Sequence, residues 1–286
     1  MEMKHWGALG LVLLVTGVLW WTQTSRSEAQ TVVTLNPVQK TPKTTYYRRN
    51  LTDGELYQFV TRQNQTVYQP VHHYLRNYPD TQWTSTKRMD LVDEAGVPKT
   101  YVYLSNGRGI SGWINLAYVH TRVALAVPNL RQRPKYPTGC EAVATTMMLQ
   151  YAWAPVTTDQ VVAEMPRTKT KNGNLGFIGD PTKKTGWWIY PPALMGVVRQ
   201  NTGRARNLTG SSFTQLRHQL DRGRPVVVWI SGWGGPKTRV NHAITLTGYD
   251  SRNVYFNDPW SGKSKRMLIT KLHEYRRRDG FRALSY

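Results

Sequence analysis

Cysteine is almost absent from this sequence: Cys140 is the only one among 286 residues. A single thiol cannot form an intrachain disulfide, which excludes a small fold held together by cross-links. Cysteine and histidine are nowhere grouped at metal-ligand spacing, since His72 and His73 are adjacent. No glycine-rich loop precedes a Lys-Ser or Lys-Thr helix start, as a phosphate-binding loop would. We therefore expect a protein that uses no metal and no other cofactor.

The N-terminal apolar run is too short for an ordinary membrane-spanning helix, which takes about 20 residues. This run, Trp6 to Trp21, follows Lys4 and has a length typical of a secretory signal. Small residues at Ser27 and Ala29 predict cleavage before residue 30. Residues 1–29 are thus interpreted as a signal peptide, or alternatively as an uncleaved anchor that would be the only membrane contact. In both cases the remainder is secreted or held at the cell surface.

Acidic residues are scarce in comparison with basic ones. The chain has 17 Asp and Glu against 38 Lys and Arg, a formal net charge of +21, and the region 263–282 is especially basic. For an exported protein this charge favours anionic cell-wall polymers, such as teichoic acids, or anionic lipid as partners, rather than specific nucleic acid. The alternative is that the basic faces are merely solvated and keep the protein soluble.

The one cysteine lies where a helix is predicted to begin. Pro137 and Gly139 interrupt regular structure, and helix-forming residues follow Cys140 without a break to Tyr151. The free N–H groups and the positive dipole end of a first turn stabilise a thiolate. Cys140 is therefore predicted to be a nucleophile; the alternative is a buried structural thiol.

A histidine, and then a carboxylate or an amide, follow the cysteine in the chain order of papain-like cysteine peptidases. His242 lies on an apolar strand-like run, and residues 241–249 and 254–258 read as a hairpin. If Tyr249 pairs with Val254, strand alternation places Asn257 on the face of His242. A register shift of one residue, or a bulge, places Asp258 there instead.

Five segments carry a resemblance to a known family. They are 139–141 (Gly-Cys-Glu), 176–180 (Gly-Phe-Ile-Gly-Asp), 208–213 (Leu-Thr-Gly-Ser-Ser-Phe), 242–250 (His-Ala-Ile-Thr-Leu-Thr-Gly-Tyr-Asp) and 257–259 (Asn-Asp-Pro). With them, residues 124–286 resemble the bacteriocin-leader-peptidase-like (double-glycine peptidase-like) cysteine peptidases. The resemblance implies a papain-like α/β (α+β) domain of about this length, and it names no substrate.

Position by position, the resemblance implies a catalytic role for four side chains. Cys140 would be the nucleophile, His242 the general base and Asp258 the residue that orients the imidazole. Gln132 would donate to the oxyanion; the alternative is a glutamine that is only solvated in its loop.

The segment 176–190 is rich in glycine, proline and aromatic residues and has no clear period, so we interpret it as a loop lining the cleft. Trp187, Trp188 and Tyr190 are candidate substrate contacts, together with Gly139 beside the thiol. The alternative is that these rings only cover the core.

The region before the catalytic part divides into two. Residues 30–45 contain many Thr, Pro and Lys residues and are interpreted as a linker. Residues 46–121 alternate short aromatic and polar runs separated by turn signals. The Gly112-Trp113 pair and Tyr118 resemble the GW-type, bacterial SH3-like modules that attach proteins to cell walls. A smaller N-terminal all-β SH3-like domain is therefore expected, either for wall binding or as a purely structural unit.

Together these features predict an exported cell-surface cysteine peptidase or amide hydrolase of the Gram-positive envelope. It would use a Cys-His-Asp triad and act on a peptide or on the peptide part of peptidoglycan. The alternative is a catalytically idle relative that serves as a basic, wall-binding surface protein.

Overall fold

The computed structural model describes residues 32–49, 54–232 and 241–286. The signal peptide or anchor predicted for residues 1–29 lies outside these ranges. Among the described residues, no helix is both long and apolar enough to cross a membrane. The described chain forms an N-terminal unit made of strands and a C-terminal unit in which helices pack on a sheet.

The N-terminal unit consists of one sheet with two short 3-10 turns, Leu75–Asn77 and Leu116–Tyr118. Its strands are β1 (Val32–Leu35), β2 (Gln39–Arg48), β3 (Glu55–Arg62), β4 (Gln65–Tyr74), β5 (Trp83–Asp93), β6 (Pro98–Ser105), β7 (Ser111–Asn115) and β8 (Val119–His120). Their order is β1-β4-β3-β7-β6-β5-β2-β8, and β1 also pairs with β5. This additional pairing closes six strands into a ring, which leaves fewer open sheet edges.

Strand alternation gives this sheet an apolar cluster on each side. Leu104 on β6 and Ile114 on β7 belong to one cluster, whereas Tyr101 and Trp113 on the same strands belong to another. Successive residues of a strand point to opposite faces, so both clusters arise from one set of strands.

The linker expected over residues 30–45 is not what the structure shows. Residues 32–35 form β1, which pairs with β4 and β5, and residues 39–48 form β2, which pairs with β5. The physical reason is that Val and Thr suit a pleated strand whenever a partner strand is present. Val33 is buried in this sheet. Composition indicated a linker because pairing with distant strands is not visible locally.

The C-terminal unit contains five helices among the described residues. They are α1 (Cys140–Tyr151), α2 (Thr158–Glu164), α3 (Pro191–Thr202), α4 (Phe213–Asp221) and α5 (Ile269–Arg277). Its strands are β9 (Val123–Ala124), β10 (Arg167–Thr168), β11 (Phe177–Ile178), β12 (Arg206–Asn207), β13 (Val226–Ser231), β14 (Asn241–Tyr249), β15 (Asn253–Asp258), β16 (Lys263–Leu268) and β17 (Ala283–Ser285). The main sheet has the order β12-β17-β13-β14-β15-β16, and β9 joins it beside β14. The unit is therefore α+β.

The central strand β13 separates two buried cores. Val227 and Trp229 pack with α1 and α3, whereas Val226, Val228 and Ile230 pack with α4 and α5. The continuous apolar run of this strand follows from burial on both faces. On the first face the Thr245 hydroxyl of β14 donates to the carbonyl of Ala144 at 2.8 Å, which fixes α1 against the sheet.

A shift of register between β14 and β15 decides which side chain faces His242. Tyr249 pairs with Val254 as predicted, but the register shifts between Leu246 and Gly248, so Thr247 is an extra residue in β14. Without this bulge Asp258 would be paired with Thr245. With it, Asn257 takes that place, and Asp258 moves to the face of His242.

The two units are in direct contact. Tyr47 of β2 is buried in the core formed by α4 and α5, with its ring 5.2 Å from that of Tyr249. The guanidinium of Arg217 lies 4.6 Å from the centre of the Tyr47 ring. His120 Nε2 lies 3.6 Å from the Asp221 carboxylate. The N-terminal sheet is thus packed on the helix face of the C-terminal unit that is remote from α1.

The bulge of β14 yields a stability prediction. A Cβ on Gly248 would lie 2.1 Å from the Val123 carbonyl oxygen, so Gly248→Ala must push β9 away from the sheet. We expect a loss of more than about 2 kcal/mol in the free energy of unfolding, measured by denaturant titration. Gly196→Ala is the matched control, because nothing lies within 4 Å of that position in α3. It should stabilise the protein by about 0.5–1 kcal/mol, and equal effects of the two changes would contradict the prediction.

Candidate active site

Cys140 is the first residue of α1, as the sequence predicts, and it is only 7% exposed. Its Sγ donates to Glu141 Oε2 at 3.3 Å, and the backbone N–H of Ala243 is near enough to lower its pKa. The second contact places the thiol against the residue that follows His242 in β14.

Burial of the thiol opposes the stabilisation of a thiolate that the helix start provides. Burial raises the pKa of Cys140 well above its ordinary value, and the charge of Glu141 raises it further. Backbone N–H groups of Ala243 and Glu141 act in the opposite direction but are outweighed. Only 7% of Cys140 is exposed, and desolvation penalises the charged form more than the dipole favours it.

Glu141 is a buried carboxyl that the sequence analysis did not single out. Its Oε1 accepts from the backbone N–H of Ile189 at 3.4 Å, in addition to the bond from the thiol. Burial raises the pKa of Glu141 to about 7, and the charge of Asp279 adds to this. The signal available in the sequence was only its position beside Cys140.

His242, the second residue of β14, forms a short hydrogen bond with a buried carboxylate. Its Nε2 donates to Asp258 Oδ1 at 2.7 Å. Asp258 also accepts from Lys265 Nζ at 2.6 Å, from Ser261 Oγ at 2.8 Å and from the Trp260 N–H at 3.0 Å. Burial by itself would raise the pKa of Asp258, but the bonds from His242 and Lys265 hold it well below its ordinary value. A charged Asp258 fixes the tautomer with a proton on Nε2 and leaves Nδ1 for other chemistry.

Asn257, the competing candidate, is occupied elsewhere. Its Nδ2 donates to the carbonyls of Val127 and Pro128 at 2.9 and 3.0 Å, and its Oδ1 accepts from Ser264 at 2.7 Å. These bonds fasten the segment that leads into α1. The structure therefore brings Asp258 to His242 and gives Asn257 a positioning task.

Cys140 and His242 line one open cleft of about 1120 Å³, which we call the thiol cleft. Its walls also include Gln132, Arg133, Pro134, Pro137, Thr138, Lys184, Gly186, Trp187, Trp188, Asn241 and Trp260. Trp260 is 45% exposed, and its ring stands edge-on to His242 at 6.4 Å. The guanidinium of Arg133 lies 3.6 Å from the centre of the Trp260 ring, so this pair covers the histidine.

Gln132 lines the thiol cleft, but its amide nitrogen is already engaged. Nε2 donates to the carbonyls of Tyr136 and Pro137, both at 3.2 Å, and Oε1 is buried without a partner among the described residues. The side chain is 1% exposed, which excludes the solvated alternative. Its donation to an oxyanion would require one of these bonds to be exchanged.

The predicted substrate contacts divide into two groups. Trp187, which is 49% exposed, and Trp188 line the thiol cleft. Tyr190 and Gly139 are not part of its wall. Tyr190 stacks behind Trp188 with the Arg282 guanidinium 3.7 Å from its ring centre. Gly139 caps α1, and a Cβ there would lie 2.8 Å from Tyr136 Cβ.

Within the described ranges, no group of three or more His, Cys, Asp or Glu side chains is placed to hold a metal ion. The sequence analysis did not single out Arg133, Lys184 and Trp260 of the cleft wall, nor Glu141 and Lys265, which bond Cys140 and Asp258. Trp260 could have been found from its position two residues after Asp258. Lys265 could not, because it approaches Asp258 only through the pairing of β15 with β16.

The part of the chain that forms this cleft is similar to known proteins. A model of the Peptidase_C39 like family matches residues 124–280. The uncharacterized protein YvpB of Bacillus subtilis (strain 168) is 28% identical over 179 residues, covering 54% of this chain and 72% of that protein. A crystal structure from Bacillus anthracis, named as that of a C39-like peptidase, is 26% identical with a TM-score of 0.55. That match covers 58% of this chain and 98% of the other.

The contact between Glu141 and the thiol yields a prediction about reactivity. Ionised Glu141 raises the pKa of Cys140, so Glu141→Gln should lower it and increase the thiolate fraction at a given pH. The rate of alkylation by iodoacetamide, followed from pH 5 to 10, should therefore rise at a lower pH than in the parent protein.

Glu164→Gln is the matched control, because it makes the same chemical change at the end of α2. There the carboxylate accepts a hydrogen bond from Asn201 Nδ2 at 2.8 Å. It should leave the alkylation profile unchanged. An unchanged profile in Glu141→Gln would mean that burial alone sets the thiol pKa.

Proposed function

The chain belongs to the Peptidase_C39 like family, and from this premise we propose that it is a cysteine peptidase that uses Cys140, His242 and Asp258. The observation that carries the proposal is the 2.7 Å bond between His242 and Asp258 on the wall of the cleft that also contains the thiol. Cys140 and His242 thus lie on the wall of one cleft, with Asp258 behind the imidazole, which supports the assignment of a nucleophile, a base and an orienting carboxylate.

In the proposed mechanism the thiol is neutral at rest, because burial raises its pKa. His242 Nδ1 accepts the proton of Cys140 as Sγ attacks the carbonyl carbon, and charged Asp258 stabilises the imidazolium. The imidazolium then protonates the leaving amine, and an acyl group remains on Sγ. Water, deprotonated by the same nitrogen, releases the acid and regenerates the thiol. The free N–H groups of the first turn of α1 are placed to stabilise the oxyanion.

The walls of the thiol cleft suggest what binds there. Trp187, Trp188 and Trp260 offer apolar faces, and Lys184 and Arg133 add positive charge. This combination fits a peptide with an apolar side chain and a nearby carboxylate, such as a short peptide or the peptide part of peptidoglycan.

We also propose that the N-terminal sheet is an SH3-like module that holds an exported enzyme at the wall. Partly buried rings form one continuous group on this sheet. They are Tyr57, Phe59, Tyr68, Tyr103 and Trp113, with neighbouring ring centres between 5.2 and 6.2 Å apart. Partly exposed aromatic rings suit recognition of a ligand, and the net charge of +21 favours anionic wall polymers.

A catalytically idle relative that only binds walls remains the second candidate. It is favoured by one observation, the burial of Cys140 beside an acidic side chain that raises the pKa of the thiol. Thiol chemistry decides between the two, because only an active enzyme needs His242 for the reactivity of Cys140.

The triad yields the central prediction. Against a peptide selected from a library, Cys140→Ala should lower kcat/KM roughly 10³-fold or more without loss of the fold. Asp258→Ala should cost less than Cys140→Ala, because the carboxylate orients the base and does not react.

Asn257→Ala is the matched control for Asp258→Ala, since it leaves the His242–Asp258 bond in place. It should reduce kcat/KM less than Asp258→Ala does. Hydrolysis that persists in Cys140→Ala would exclude the triad, and a thiol whose alkylation is insensitive to His242→Ala would favour the idle relative.

The wall-binding proposal is tested in the full chain. Trp113→Ala should reduce the fraction of protein that pellets with Gram-positive cell walls at about 1 M salt. At that concentration the Debye length is about 3 Å, so attraction between charges is largely screened and the remaining binding depends on contacts such as those of Trp113. Peptide hydrolysis should be unchanged. Trp187→Ala, which removes an equal ring from the cleft, should have the opposite pattern, and equal pelleting of both variants would contradict the proposal.

A further inference from the structure

A second cavity lies at the other end of the helix that carries the thiol. It has a volume of about 590 Å³, within the range of ligand sites. Its walls include Tyr151, Trp153, Arg204, Gly223 and Tyr286. Tyr151 is the last residue of α1, whereas Cys140 is the first. At a rise of 1.5 Å per residue, these two wall residues of the two cavities are roughly 17 Å apart along the helix.

One arginine, Arg204, lines this second cavity, and three more lie beside residues of its wall; we call the four the arginine patch. They are Arg204, Arg206, Arg222 and Arg224. Arg224 is half-buried and the other three are exposed. Burial, and then the charges of its three neighbours, lower the pKa of Arg224. Arg222 and Arg224 flank Gly223 of the cavity wall, and Arg206 pairs with Ser285 beside Tyr286, so four like charges lie at this end of the unit.

No carboxylate of the described chain forms an ion pair with the arginine patch. The ion pairs of the C-terminal unit lie elsewhere, for example where Lys271 and Arg278 both contact Glu274. Mutual repulsion of unpaired guanidinium groups costs free energy, and a bound anion removes that cost. The patch is therefore complementary to a ligand with several negative groups.

Trp153 adds an aromatic face to the same place. It follows α1, is 93% exposed and has a φ of 65°, a left-handed conformation that is unfavourable for a bulky side chain. It belongs to no described core cluster. A large ring held exposed in a strained conformation on the wall of a cavity points to contact with a ligand.

We propose that the arginine patch and Trp153 form a binding site for a phosphodiester polymer with a sugar or polyol backbone. Guanidinium groups bind phosphate through paired N–H donors. Arg206, Arg222 and Arg224 lie outside the wall of the cavity, so a ligand that contacts all four arginines must extend beyond it. Only Trp153 is highly exposed, whereas a nucleic-acid strand is held by successive rings. The proposal deepens the wall-binding part of the proposed function and is independent of catalysis.

The test compares two double variants of the full chain that remove equal charge. Arg204→Gln/Arg224→Gln acts in the patch, and Arg266→Gln/Arg277→Gln acts in the basic region of β16 and α5. Binding of soluble poly(glycerol phosphate) is measured by calorimetry between 50 and 300 mM salt. The patch variant should weaken binding at least tenfold and reduce the slope of log K against log salt by about one to two. The control should change little.

Trp153→Gly separates a ligand contact from a structural role. Glycine relieves the positive φ, so the melting temperature should stay the same or rise, while binding of the polymer weakens. A lower melting temperature with unchanged binding would show that Trp153 is structural and would overturn its assignment.

Three results would overturn the site as a whole. One is equal loss of binding in the two double variants, which would mean that net charge alone attracts the polymer. Another is absence of binding by the parent protein. The third is tighter binding of a single-stranded oligonucleotide that depends on the patch, which would make nucleic acid the ligand. Peptide hydrolysis should be normal in every variant, so a failure here is distinct from a failure of the triad.

Discussion

The hydrogen bond between His242 and Asp258 depends on one extra residue in β14. Because Thr247 is not paired with β15, the last residues of β15 shift by one position relative to β14. Asp258 therefore faces His242, and Asn257 turns to the carbonyls of Val127 and Pro128. Gly248 follows the bulge and has no Cβ, which allows β9 to approach its backbone. The irregularity thus fixes both the His242–Asp258 pair and the segment that enters α1.

Two buried carboxyl groups beside the thiol cleft have pKa values shifted in opposite directions. Asp258 receives bonds from His242, Lys265 and Ser261, which hold its pKa low in spite of burial. Glu141 accepts from the Cys140 thiol and the Ile189 N–H, and burial raises its pKa to about 7. In the proposed mechanism the proton of Cys140 is transferred to the imidazole, whose positive charge Asp258 would stabilise. Burial is costly for a thiolate, but it would strengthen the attraction between the imidazolium of His242 and the carboxylate of Asp258.

Local patterns in the sequence were sufficient for much of the C-terminal unit. The start of α1 at Cys140 and the hairpin that contains His242 follow from helix-forming residues, breakers and turn residues. The choice between Asp258 and Asn257 did not follow from these patterns, because it depends on the bulge in β14. The bulge lies where β9 pairs with β14, and β9 is more than a hundred residues earlier in the chain. The same limit explains why residues 32–45 were predicted to be a linker: the strands with which they pair are remote in sequence. The raised pKa of Cys140 required knowledge of burial, which a helix start does not reveal.

The contact between the two units restricts how a wall-bound enzyme could work. Tyr47 is buried against Tyr249 and Arg217 in the core of the C-terminal unit, so the N-terminal sheet is held by packing and not only by a tether. A flexible tether lets a catalytic domain search every site within its reach, whereas a packed module presents its cleft in one orientation. If the sheet binds a polymer, only bonds at a fixed offset from the bound segment can reach Cys140. Selectivity would then follow from the spacing between the two surfaces as well as from the walls of the cleft.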